Sequence, residues 1–150
     1  MSDFIQEIYD FNKQAGLLDK GYDDFLESSF QIEEALEGFN VEEVSQNTTD
    51  YQFKTSSAKE LARYILDHEQ FVGSDVDRLD KAIDAIVFAV GSIAKLGLTP
   101  NQISKAISVV TNANLQKLSM PKDEFGKLTK PADFVGPEAE LQAILDKRLQ

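Results

Sequence analysis

The residues best suited to chemistry are acidic, and they fall in two places. The first is residues 79 to 98, LDKAIDAIVFAVGSIAKLGL, apolar nearly all the way round a 3.6-residue helix. Between Ala82 and Ala94 this stretch carries a single ionisable group, Asp84, with Asp80 one turn before it. At about 100° per residue, Asp77, Asp80 and Asp84 share a face with Val87 and Gly91. A carboxylate in an apolar interior must be protonated, paired with a cation or bound to a metal. The second place is Glu33-Glu34-x-x-Glu37. Glu34 and Glu37 project together from a helix face flanked by Leu26 and Phe30, and Glu33 sits between that face and the next.

A Glu cluster on one helix is by itself usually a solvated face. Two facing helices that each carry carboxylates at i, i+3 or i, i+4 present two carboxylates apiece to a common centre. An all-oxygen donor set of Glu34, Glu37, Asp80 and Asp84 favours Mg²⁺, with Mn²⁺ as substitute, over zinc or iron. The chain has no Cys and a single His, His68, so thiolate chemistry and multi-histidine sites are excluded. A di-iron bundle requires Glu-x-x-His, which is absent, and DVDRLDKAID lacks the glycine and spacing of an EF-hand. Magnesium held by few protein ligands completes its shell with substrate phosphates, for which Lys117, Lys127 and Lys130 are candidate donors.

The elements that must position these groups are helices. A first helix spans 2–15, with Phe4, Ile5, Ile8 and Phe11 on one side, Asn12 at the stripe's edge and Gly16 as its stop. A second spans 23–39, with a core seam of Phe25, Ile32, Leu36 and Phe39. Residues 40–55 read as a loop, and the capping box Ser57-Ala58-Lys59-Glu60 opens a short helix to about His68. Ser74 caps the central, mostly buried helix, which ends near Gly97. Thr99-Pro100-Asn101-Gln102 is the clearest helix start in the chain. The helix it opens places Ile103, Ile107 and Val110 on its apolar face, a stripe that continues onto Asn114 with Lys117 beside it. A Pro- and Gly-punctuated tail, 119–136, carries Phe125 and Phe134 to pin it to the body, and a terminal helix begins at Pro137. The expected fold is one all-α domain over residues 1–150, a four- to five-helix bundle.

A formal charge of −11 argues against direct nucleic-acid binding and suits a cation binder or an acidic interaction module. No apolar run approaches the ~20 residues of a membrane span, and the acidic N-terminus is unlike a signal peptide, so a cytoplasmic protein is expected.

Taken in order, FNKQAG, FQIEEALEGF, DKAIDAIVFAVGSIAKLG, VVTNANLQKL and GKLTKPADF resemble the MazG-like all-α nucleoside triphosphate pyrophosphohydrolases, near the phosphoribosyl-ATP pyrophosphohydrolase-like branch. Glu33, Glu34 and Glu37 match that family's EExxE motif, and Asp84 matches the final Asp of its second acidic motif. The family commonly has Glu three residues before that Asp. Here that place is Lys81, and Asp80 stands four before. The spacer between the motifs is longer than usual. The resemblance implies Mg²⁺-dependent hydrolysis of a nucleoside triphosphate to monophosphate and pyrophosphate. In that reading Glu34, Glu37, Asp80 and Asp84 hold metal, and Glu33 either ligates a further ion or helps activate water. Lys117, Lys127 and Lys130 offset pyrophosphate charge, and Asn12 and Asn114 contact base or sugar.

Two other readings compete. One is a catalytically silent acidic module for a basic partner; the other takes phosphoribosyl-ATP as substrate. The apolar helix sides exceed what one four-helix layer covers, and relatives of this kind commonly dimerise. A homodimer or dimer of dimers is therefore expected.

Overall fold

The computed structural model describes residues 3–19, 21–36, 71–124 and 126–148. Among these the secondary structure is helical, without strands. Helix α1 is Phe4–Gln14, α2 Asp24–Leu36, α3 Asp75–Lys95, α4 Pro100–Leu115 and α5 Glu138–Leu145. Glu37, Phe39, the 40–55 loop, the 57–68 helix with His68, and Phe125 lie outside the described residues, as do the side chains of Phe25 and Leu36. The chain divides into two units, one of residues 1–23 with 89–150 and one of Asp24–Phe88, so the boundary falls within α3.

In the first unit, Asp3 caps α1 by accepting from the Ile5 N–H at 3.1 Å, and Gly16 follows the helix at φ 70°. The left-handed conformation there is one that glycine adopts without a Cβ clash. The buried stripe of α1 is Ile5, Ile8, Tyr9 and Asn12, spaced i, i+3, i+4, i+7. Phe4 and Phe11, expected on the apolar side, are exposed. The stripe is rotated from them because Asn12 packs inward.

Helix α4 starts as its sequence dictates. The Thr99 N–H donates to Gln102 Oε1 at 2.9 Å, the Gln102 N–H donates to Thr99 Oγ1 at 3.4 Å, and Pro100 occupies the first turn. Gln102 also donates from Nε2 to the Lys147 carbonyl at 3.1 Å, just past α5. The buried face of α4 is Ile103, Val109 and Ala113, with α1 and α5 packed against the helix. The expectation for Ile107 and Val110 is corrected, since both remain exposed. Ala106 is partly buried beside this face. The core gathers Ile5, Val90, Ala94, Leu98, Ile103, Val109 and Ile144. The terminal helix runs Glu138–Leu145 after Pro137 and buries Ile144.

In the second unit, α3 opens on a reciprocal cap. Ser74 donates from its N–H and Oγ to Asp77 Oδ2 at 2.6 and 2.7 Å, and the Asp77 N–H returns to Ser74 Oγ at 3.3 Å. The expectation of a mostly buried central helix holds only for its second half, Val90 to Ala94. Its first half leaves Val76, Leu79, Ile83 and Ile86 exposed. The α2 seam is also corrected, because Ile32 is 59% exposed. The face turned inward on α2 is the one bearing Glu27, Phe30, Gln31 and Glu34.

Among the described residues, no single helix is long and apolar enough to cross a membrane.

Candidate functional site

The acidic motifs belong to α2 and the first half of α3, and two contacts set these helices against each other. Phe30 and Phe88 stack with ring centroids 5.4 Å apart and an interplanar angle of 23°. Lys81 Nζ donates to the Ala35 carbonyl at 2.9 Å. As the residue number rises on α2 it falls on α3, so the pairing is antiparallel. Glu34 lies one turn beyond Phe30, and Asp84 lies one turn before Phe88. Each is at i, i+4 from its stacked ring, so each shares that ring's face. At about 1.5 Å of rise per residue, Glu34 and Asp84 each lie about 6 Å along their helices from the stacked rings, in the same direction for an antiparallel pair.

Burial grades the carboxylates. Glu34 and Asp84 are half-buried, and Glu34 Oε2 is shut off from solvent. Glu33 and Asp80 are exposed, and Glu37 lies outside the described residues. Among the described residues no three His, Cys, Asp or Glu side chains converge as a ready cage. Lys81 is turned toward Ala35 and the ring of Phe71, whose centroid is 5.3 Å from Nζ.

One buried acid carried no signal in the motif reading. Glu27 is 4% exposed on α2. It lies three residues before Phe30 and seven before Glu34, on the same helical face. Only the knowledge that Phe30 points inward singles it out. Asp77 does not join the site group. Its carboxyl is held below the ordinary 3.8 by the hydrogen bonds from Ser74, which favour the charged form.

Beside Glu34 a cavity of about 490 Å³ opens, with Arg78, Lys81 and Phe71 in its wall. Its size is that of a small-molecule pocket.

Compared with known proteins, the chain matches no family model, no curated protein and no solved structure. The functional reading rests on the chain's own residues.

The expected substrate contacts belong to the other unit. Asn12 is 5% exposed and donates from Nδ2 to the Ile8 carbonyl at 2.9 Å. Its Oδ1 lies 2.8 Å from where a Cβ on Gly91 would stand. Asn114 is exposed and is not on the buried face of α4; its Oδ1 accepts from Lys117 Nζ at 2.7 Å. Lys117 and Lys130 are brought together, their ammonium groups 5.3 and 5.1 Å from the ring centre of Phe134. Phe134 thus helps fasten the tail, as does Gln116, which pairs with both backbone groups of Val135. Lys127 sits in a separate tight turn, where its N–H donates to Asp123 Oδ1 at 3.0 Å and its carbonyl accepts from the Asp123 N–H at 2.7 Å.

Proposed function

We propose that the chain is a Mg²⁺-dependent nucleoside triphosphate pyrophosphohydrolase of the MazG-like kind, releasing nucleoside monophosphate and pyrophosphate. The observation that carries this reading is the Phe30–Phe88 stack, with Glu34 and Asp84 each one helical turn from its ring. Carboxylates from two helices are donors that a hard divalent ion takes, with water and phosphate oxygens filling the rest of its shell. The all-oxygen donor set fits magnesium or manganese. Glu34 and Asp84 are the central ligands, with Glu37 and Asp80 completing the set. Bound there, the ion supplies charge neutralisation for the phosphates and acidifies water.

The chain's own groups do the rest. Glu33, exposed beside the ligand face, accepts a proton from the attacking water or ligates a second ion. Lys117, Lys127 and Lys130 offset phosphate charge, and Asn114, hydrogen-bonded to Lys117, is a sugar or base contact. Asn12, buried and tied to the Ile8 carbonyl, serves this reading through packing.

The same reading takes the fold as a four- to five-helix bundle acting as a cytoplasmic homodimer. Val76, Leu79, Ile83 and Ile86 are spaced 3, 4, 3 along α3, the a/d rhythm of a helix-pairing seam. Val76 is 75% exposed and Leu79 63%. A second copy of the chain would cover this stripe next to the carboxylate face.

The test is pyrophosphate release from a panel of NTPs and dNTPs with Mg²⁺. Glu34→Gln and Asp84→Asn should each lower the rate by about a hundredfold or more. No release from any substrate, or release unchanged in both variants, overturns the proposal.

A further inference from the structure

The wall of the Glu34 cavity has a composition the chain as a whole does not lead one to expect. In a protein of net charge −11, two cations one helical turn apart, Arg78 and Lys81, line a single hollow. Both stand over one aromatic ring, with the Arg78 guanidinium carbon 4.8 Å and Lys81 Nζ 5.3 Å from the centre of Phe71. Stacking on a ring holds a guanidinium by its flat face and leaves its N–H edge for an anion. The bond from Lys81 Nζ to the Ala35 carbonyl fixes that charge at the cavity wall. Arg78 also pairs with Asp75 at 2.9 Å, but both side chains are well exposed, and such surface pairs yield readily to a multiply charged ligand. Ala82 and Ala85 supply a small-residue floor that leaves the space open.

We propose that Arg78 and Lys81 form the polyphosphate-binding wall of this cavity, contacting the phosphates of the nucleotide and the pyrophosphate product. This rests on the pyrophosphohydrolase reading and adds a division of labour to it. Carboxylates on α2 and α3 hold the metal ion, while two cations on α3 hold the anion beside Glu34. Lys81 then gives a physical sense to the chain's departure from the EExxE family's second motif, since a phosphate contact stands where a metal ligand is usual. The guanidinium fork suits two phosphate oxygens at once, and the ammonium acts as a point charge.

The experiment measures binding of inorganic pyrophosphate and tripolyphosphate to the full chain by calorimetry, with EDTA present so that metal makes no contribution. Arg78→Gln and Lys81→Met should each weaken binding about tenfold, and the double variant about a hundredfold. Lys81→Arg, which keeps the charge, should retain binding to within about threefold; a merely structural lysine would not separate Met from Arg in this way. Mn²⁺ affinity, read by electron paramagnetic resonance, should stay within about twofold in Lys81→Met and should tighten in Lys81→Glu. Pyrophosphate binding that is absent in the unmutated chain, or equal in the double variant, overturns the inference. If the unmutated chain hydrolyses no nucleotide yet binds pyrophosphate through these two residues, the catalytic reading fails and the anion site stands.

Discussion

Asn12 and Gly91 interlock: the Asn12 Oδ1 lies 2.8 Å from the place where a Gly91 Cβ would project, and its Nδ2 is tied to the Ile8 carbonyl. Two effects oppose each other at this site. Alanine in a helix interior is favoured over glycine by roughly 0.5–1 kcal/mol. Overpacking a buried contact costs typically ~1–3 kcal/mol, and the Asn12 amide is not free to swing aside. The steric term wins. Gly91→Ala should lower unfolding free energy by about 1–2 kcal/mol in urea melts, and Asn12→Ala in the same chain should recover part of the loss. Additive effects in that double-mutant cycle would contradict the interlock.

The Phe30–Phe88 stack is predicted to matter to the site as well as to stability. An aromatic pair contributes ~0.5–1.5 kcal/mol beyond its area, so Phe88→Leu should cost about that much. Its effect on Mn²⁺ affinity should be larger than its effect on stability, because the stack holds together the two helices that carry Glu34 and Asp84. A Phe88→Leu protein that binds Mn²⁺ as tightly as the parent would show that the stack does not set that spacing.

Divalent metal should stabilise the folded chain through Glu34 and Asp84. Ligand at ten times its dissociation constant adds about 1.4 kcal/mol, so Mg²⁺ should raise the melting temperature and chelation should reverse the rise. In Asp84→Asn the shift should shrink or vanish. A melting temperature unmoved by Mg²⁺ would favour the catalytically silent acidic module.

Asp77 makes a pH-dependent contribution whose sign is fixed. Its folded-state value lies below 3.8 because Ser74 donates to the charged form. The unfolded chain therefore binds the proton more readily. The stabilisation is present above 3.8 and is lost as pH falls through the lower folded-state value. Asp77→Asn should melt below the parent at neutral pH, and the gap should close as pH drops beneath 3.8. A gap constant across that range would assign the cap's strength to something other than the carboxylate.

The exposed seam on α3 predicts the association state. Sedimentation should find a dimer, and Ile83→Asp should shift it to monomer by placing a charge in the middle of the helix-pairing stripe. A monomeric parent protein would remove the seam's explanation.

How far the residues revealed all this depends on the kind of signal. Helix starts were legible because caps are local chemistry: Ser74, Thr99 with Pro100 and Gln102, and Gly16 as a stop all act where they were read. Helix faces were less so. On α4, Ile107 and Val110 continue the stripe of Ile103 by spacing, yet Val109 and Ala113 are the residues buried with Ile103, because the packing of α1 and α5 decides which face turns inward. On α1 the inward position next to Ile5 and Ile8 belongs to an amide, which periodicity assigns to the edge. Glu27 was invisible for the opposite reason, since a glutamate with no motif looks like any solvated one until Phe30 shows which way the helix turns. Of the site, the i, i+4 relation of Glu34 to Phe30 and of Asp84 to Phe88 is plain in the sequence. The apposition of the two rings is a long-range contact that no local pattern encodes.

The two bonds of Gln102 have a consequence for which substitutions this fold accepts. For a helix start alone, glutamine and glutamate are interchangeable, because only the acceptor oxygen faces Thr99. Here the amide nitrogen also clasps the Lys147 carbonyl. A carboxylate would set two acceptors against each other there, so an exchange that looks harmless in any helix table should loosen the chain's last turn while leaving the start of α4 intact.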